Sequence, residues 1–392
     1  MKKTLLTICL VWMCFSLSAQ KIIDLSGKWS FSIDRQDNGE KEKWFSHTLN
    51  DFINLPGSMP EKLKGDEVTA KTQWTGSLYD SSYYYNPYME KYRKEGNIKF
   101  PFFLTPDKHY VGAAWYQKEV NIPADWKGER ILLFLERPHI ETTVWVNGQK
   151  TGMQNSLCVP HQYDITHYVR PGKCTITIRV DNRIKEINVG PDSHSITDQT
   201  QGNWNGIVGR ICLQTTPKTY FDDIQIYPEP EQKLARVKVV IKGTGTAKVK
   251  LSAESFNTDK KHIVPAIQQE IKLNKGVTET EMVLPMGNDM LLWDEFHPAL
   301  YKLKAEVTNG KKTEIKEIQF GMRRFEIKGK WFYVNGRKTQ LRGTVENCDF
   351  PLTGYAPMDV ESWERVFRIC RNYGLNHMRF HSFCPPEAAF MA

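Results

Sequence analysis

No apolar run in this 392-residue chain is long enough to cross a bilayer. Internal repeats and low-complexity linkers are also missing, which sets aside solenoid folds and long disordered tethers. Positive charge exceeds negative, at a formal +8, but it is never concentrated. Lys41-Glu42-Lys43 and Lys311-Lys312-Thr313-Glu314 interleave the two signs. A nucleic-acid surface needs a clustered basic patch, so none is expected. Eight cysteines stand at spacings that match neither a metal motif nor a small disulfide framework. No metal site and no cofactor are expected from them. Cys158, Cys174, Cys212, Cys348, Cys370 and Cys384 read as mostly buried thiols with at most one bridge.

What is present is an ordinary globular balance, with 40% hydrophobic and 25% charged residues. Aromatics reach 12%, which suits stacking on sugar rings and equally suits large β-cores. The first residues read as a signal peptide, residues 1–19. Lys2-Lys3 precedes a short apolar run from Leu5 to about Leu17, and Ser18-Ala19-Gln20 supplies a small-residue cleavage region. Bulky Val11-Trp12-Met13 before Cys14 argues against lipoprotein-type cleavage. The mature chain is therefore expected in the periplasm, at the cell surface or secreted. Cys9 and Cys14 leave with this segment, and losing its two lysines takes the formal charge from +8 to +6.

From Ile23 to about Thr216 the pattern is short alternating runs broken by turns, which predicts an antiparallel β-sandwich. Trp29-Ser30-Phe31-Ser32-Ile33 and Thr175-Ile176-Thr177-Ile178-Arg179-Val180 alternate, and Asn147-Gly148 is a hairpin signal. The length suits a jelly roll over residues 20–218. Val237, Val239 and Ile241, then Tyr301, Leu303, Ala305 and Val307, alternate in a second unit at 219–322, of immunoglobulin size. Tyr83 to Phe103 is a long aromatic insertion. Residues 323–392 read as the opening of a (β/α)₈ barrel. A hairpin at Asn335-Gly336 comes first, then a helix capped by Asp359, and a short strand at Asn376 to His381. The fold class is thus mainly β, followed by the first two βα units of an incomplete barrel.

This order of parts resembles glycoside hydrolase family 2, which includes β-galactosidases, β-glucuronidases and β-mannosidases. Leu25-Ser26-Gly27-Lys28-Trp29, Leu55-Pro56-Gly57, Ala114-Trp115-Tyr116, Val146-Asn147-Gly148 and Gly206-Ile207-Val208-Gly209-Arg210 are similar to the sugar-binding domain's signatures. Pro298-Ala299-Leu300-Tyr301, Phe320-Gly321-Met322-Arg323, Val334-Asn335-Gly336, Arg342-Gly343 and Gly374-Leu375-Asn376-His377-Met378-Arg379 continue the match.

The resemblance implies a retaining exo-β-glycosidase with two carboxylates about 5–5.5 Å apart, and a β-galactosidase is favoured. It places both catalytic glutamates on the fourth and seventh barrel strands, beyond residue 392. No residue here is assigned either role, and the chain by itself is expected to be inactive. Arg379 and His381, at the end of the second barrel strand, and Glu346, past the first, are candidate substrate-binding residues. Asp198 and Trp204 belong to a jelly-roll segment similar to a loop that reaches the active-site mouth in related β-galactosidases. For that loop, a sugar contact stands against solvent-exposed packing. The implied partner is a β-linked oligosaccharide or glycan. A non-catalytic carbohydrate-binding protein of two sandwiches is the alternative, and a structural or adhesive surface protein is a third reading.

Overall fold

The computed structural model describes residues 20–75, 85–99, 101–185, 189 and 193–392. Residues 1–19, which read as a signal peptide, and part of the aromatic insertion lie outside the described residues. Contacts divide the chain into two units, one holding Ile22–Thr215 with Gln340–Ala392, the other Thr216–Thr339.

In the first unit two antiparallel sheets form the jelly roll. One runs Ile22–Asp24, Gly206–Thr216, Arg130–His139, His161–Asp164, with Gly57–Ser58 also on Gly206–Thr216. The other runs Gln149–Asn155, Glu141–Val146, Gly172–Asp181, Ala113–Ile122, Gly27–Asp34, Asp51–Leu55. Alternation explains the shared core: Ile176, Ile178 and Val180 point inward, onto Trp29, Phe31, Tyr116, Val144, Leu133 and Ile207. Their neighbours Thr177, Arg179 and Asp181 are buried too. The outer face of that sheet is covered where Trp115, Trp145 and Leu49 cluster with Trp44 and Phe45. Arg179 and Asp181 pay for burial through pairing, at 3.0 Å to each other, with Asp37 at 2.6 Å from Arg179. Burial opposes the Asp181 carboxylate. Hydrogen bonds from Arg183 and Lys185, with the Arg179 charge, still hold it well below the usual range.

Gly206 shows why the motif at 206–210 carries glycine. Its φ is +149°, and a Cβ there would lie 2.5 Å from the Gly57 carbonyl oxygen and 2.9 Å from Ser58 Cα. The strand pairing Gly206 with Ser58 leaves no room for a side chain.

The second unit is a seven-stranded sandwich. Tyr220–Glu229, Leu234–Lys242 and Val277–Pro285 face Ile263–Leu273, Gly245–Ser255, Tyr301–Asn309 and Lys312–Phe320. The alternating residues Val237, Val239, Ile241, Tyr301, Leu303, Ala305 and Val307 are all in its core. The Asn335-Gly336 hairpin forms, with φ of 51° and 75°, the two positive values a tight hairpin turn requires. It joins Trp331–Val334 to Arg337–Thr339 in an antiparallel meander with Phe325–Lys328. That meander groups with the second sandwich, so the parallel strands begin only at Gly343.

There Gly343–Glu346 pairs in parallel with His377–Phe380, Gly343 opposite His377 and Glu346 opposite Phe380. A parallel pair needs a crossover, supplied by the helix Val360–Asn372. Asp359 caps it, accepting from the Ser362 N–H at 2.8 Å. The helix buries Trp363 against Phe367, Phe380, Ala388 and Ala389. No helix among the described residues is long and apolar enough to cross a membrane.

Candidate functional site

The βαβ unit packs on the jelly roll through specific bonds rather than a large apolar face. Ser193 Oγ donates to the Ser382 carbonyl at 2.9 Å, and Arg137 Nη1 donates to the Cys384 carbonyl at 2.8 Å. Tyr355 Oη donates to Glu61 Oε2 at 3.0 Å, and Cys348 Sγ lies 2.9 Å from Gln201 Oε1. Arg210 links Glu136 at 2.8 Å to Glu387 at 2.7 Å. Ser193 to Ser382 and Gln201 to Cys348 tie the segments that follow the two parallel strands, where a βα architecture gathers its ligand-facing loops, to residues 193–205.

A cavity of about 450 Å³ opens between the two parts, bounded by Arg137, His139, Ser195, Trp204, Tyr355 and Cys384 among others. That volume is in the range of small-ligand sites. Its aromatic wall is layered. The His139 and Trp204 rings stack at 4.5 Å and 17°, and Trp204 meets Tyr355 at 5.6 Å. Trp204 Nε1 is a buried donor with no hydrogen-bond partner among the described residues. His139 Nε2 lies 3.0 Å from Asn203 Oδ1, and Asn203 Nδ2 donates to the Asn182 carbonyl at 2.7 Å. The amide's orientation makes its oxygen the acceptor, so His139 carries its proton on Nε2. Burial pushes the His139 pKa down to about 3, against the Asn203 bond and helped by the Arg137 charge, so the ring is neutral at pH 7.

At the strand ends, the Glu346 carbonyl accepts from the His381 N–H at 2.9 Å. Glu346 Oε1 accepts from the Cys348 N–H at 2.9 Å, while Oε2 is buried and has no hydrogen-bond partner among the described residues. Burial raises the Glu346 carboxyl above its ordinary range, with Asp349 adding to it. The His381 ring lies 4.2 Å from that of His194, and Nδ1 is 3.4 Å from Asn347 Oδ1. His194 in turn reaches the Asn347 carbonyl at 2.8 Å. Desolvation, then His194 and Arg379, lower the His381 pKa. Arg379 itself is exposed.

Of the five sequence-derived candidates, Glu346 and His381 come together directly, with Arg379 acting on His381 by its charge. Trp204 lines the adjacent cavity, which Ser382, Phe383 and Cys384 enter straight after His381. Asp198 is elsewhere. Its side chain accepts from the Thr75 N–H and faces His109 Nε2 at 3.4 Å, on a different side of the loop. The loop is not solvent-exposed packing. Asp198, Thr200, Gln201, Asn203 and Asn205 are all buried, and their side chains satisfy backbone groups, as when Gln201 Nε2 donates to the Ser195 carbonyl at 2.6 Å. Reading the sequence missed His139 and His194. Neither sits in a motif; each becomes a site residue only by meeting a partner far along the chain. Of the aromatic insertion, Tyr85 and Tyr88 are each 84% exposed, while the remainder lies partly outside the described residues. The described residues contain no His, Cys, Asp and Glu cluster able to hold a metal ion.

A jelly roll carrying a parallel βαβ unit, with an aromatic cavity at the strand ends, and an immunoglobulin-like sandwich as a second unit define a modular, mainly β protein. Residues 22–217 match the sugar binding domain of glycosyl hydrolases family 2, and residues 219–323 match a second domain of glycosyl hydrolases family 2. The chain belongs to that family. It is 28% identical over 283 residues to a putative beta-glucuronidase of Formosa agariphila, covering 70% of this chain and 33% of that protein. It is 24% identical over 313 residues to a beta-galactosidase of Thermoanaerobacter pseudethanolicus, 75% of this chain and 39% of that one. With human beta-glucuronidase the figures are 23% over 394 residues, 91% and 53%. The chain thus spans about half the length, or less, of these relatives. The crystal structure of Ruminococcus gnavus beta-glucuronidase aligns with a TM-score of 0.68 at 19% identity, over 95% of this chain and 57% of that one. At that identity the likeness establishes the fold.

Proposed function

We propose that this chain forms the sugar-binding side and the first barrel strands of an exported, retaining exo-β-glycosidase. One observation carries the reading. Trp204, stacked on neutral His139, puts its ring in the wall of a cavity of about 450 Å³, and its buried Nε1 donor has no hydrogen-bond partner among the described residues. A sugar ring asks for that combination: C–H groups on an aromatic face and hydroxyls on oriented polar atoms. Glu346 and His381 lie at the strand ends, the latter just before the cavity-lining residues 382–384, and would contact hydroxyls, with Arg379 beside them. The acid/base and nucleophile are assigned to no residue of the chain. A β-galactoside is the favoured substrate on the sequence reading. A β-glucuronide is the second reading, supported by the positive charge of Arg379 and Arg137 and by relatives named as beta-glucuronidases.

The test is proton NMR of hydrolysis by this chain joined to a complete barrel that carries both glutamates, supplied with aryl β-galactoside and aryl β-glucuronide. The β-anomer should appear first with one of the two. First appearance of the α-anomer would overturn the retaining assignment, and no turnover of any β-glycoside would favour the carbohydrate-binding alternative. Glucuronide alone as substrate would select the second reading.

A further inference from the structure

Six cysteines fall among the described residues, and none is bridged in the structure. Two of them, at positions 158 and 384 and so 226 residues apart, come from different parts of the fold. Cys158 sits in the jelly-roll loop between Gln149–Asn155 and His161–Asp164. Cys384 follows the parallel strand His377–Phe380 and precedes Pro385-Pro386. Both line the cavity beside Trp204. One guanidinium holds the two backbones together: Arg137 Nη2 donates to the Cys158 carbonyl at 3.3 Å, and Nη1 to the Cys384 carbonyl at 2.8 Å. The same Nη2 also reaches the Pro385 carbonyl at 3.1 Å. The other four are placed differently. Cys174, Cys212 and Cys348 are buried, and Cys370 lies on the helix Val360–Asn372.

We propose that Cys158 and Cys384 form a disulfide that staples the jelly-roll loop to the strand-end loop at the cavity wall. The bond forms by thiol–disulfide exchange. Exposed Cys384, as thiolate, attacks a small-molecule or protein disulfide and releases one thiol. Cys158 then displaces the second thiol from the mixed disulfide. Two S–H bonds break and one S–S bond forms; the external disulfide takes up two electrons and two protons to become two thiols. A closed loop of this length restricts the unfolded chain strongly, so the staple stabilises the contact between the two parts. It also fixes Cys158 and Cys384 as a rigid edge beside the Trp204 wall.

The test is a comparison of the same purified chain after incubation with oxidised or reduced glutathione. Non-reducing peptide mapping should show a linked peptide joining Cys158 and Cys384 as the dominant bridge. The oxidised form should unfold at a temperature higher by about 5 °C or more. Dithiothreitol should abolish that shift, and Cys158→Ser should not show it, whereas Cys212→Ser should retain it. Should Cys158→Ser fail to fold, the wild-type map and thermal shift decide alone. Oxidation that leaves both thiols open to maleimide, or that links either cysteine mainly to Cys370, would overturn the proposal.

Discussion

Gly206 is held by backbone on the side where a Cβ would go, and backbone cannot swing aside as a lysine tip can. Gly206→Ala is therefore expected to cost about 2 kcal/mol or more, through a positive φ and overpacking together. Chemical denaturation would check it; a loss under about 0.5 kcal/mol would show that the Gly57 strand moves. Two buried histidines carry a second prediction. Burial pushes His139 down to about 3 and His161 to about 4. Unfolded, each titrates near 6.5, so between about pH 6.5 and 4 the unfolded chain binds protons that the folded chain refuses. Stability should accordingly fall as pH falls through that window, by up to about 1.4 kcal/mol per pH unit for each histidine. Glu346, raised by burial, works in the opposite sense above its unfolded pKa. Comparing His139→Gln with wild type isolates one proton. The variant's stability curve should be flatter between pH 6 and 4, and an unchanged slope would refute a neutral buried His139. The sequence places Trp204 in a loop similar to one that reaches the active-site mouth in related β-galactosidases, but could not place His139 next to it. The stack joins a strand end to a loop more than sixty residues later, and no local pattern encodes that.

At the level of single elements, local signals were sufficient where the chemistry is local. Asp359 announces a helix start, and the structure has that cap with both side-chain oxygens engaged by Ser362. Asp359→Ala should remove about 1 kcal/mol of helix stability. Amide exchange across Val360–Asn372 should rise accordingly, while exchange in Ala113–Ile122 stays unchanged. Asn335-Gly336 likewise specified a hairpin, because both turn residues need positive φ and these two tolerate it. Its membership was not legible. A strand's alternation states which face is buried but not which sheet accepts its edge, so the hairpin read as barrel sequence although it groups with the second sandwich. The covered outer face of Gly172–Asp181 was hidden for a similar reason. Alternation over Thr175 to Val180 makes Thr177 and Arg179 its polar half and says nothing of what covers them; Trp115, Trp145 and the Arg179–Asp181 pair do so in the fold.

Across the whole molecule, the parallel strands are attached to the jelly roll by a few directed bonds, and Arg210 between Glu136 and Glu387 is the most exposed of them. In this chain joined to a complete barrel, Arg379→Ala should lower kcat/KM for the preferred β-glycoside by about tenfold to a thousandfold, the scale of losing a charge-assisted contact near the reacting centre. A change below about twofold would remove Arg379 from the site. The two sandwiches and the βαβ unit were readable from residue order, because alternation, turn chemistry and capping act over a few positions, and the family was read from the resemblance of short motifs in their order. Which candidates share a site was decided by tertiary structure alone. Glu346 and His381 meet because parallel pairing sets their strand ends side by side. Trp204 reaches the cavity because its loop is buried by its own side-chain-to-backbone bonds, and Asp198 turns away to Thr75 and His109 within that same loop. Proximity between distant segments is bought with loop-closure entropy and repaid only by the complete set of contacts, so it exists in the folded chain and in no stretch of its sequence.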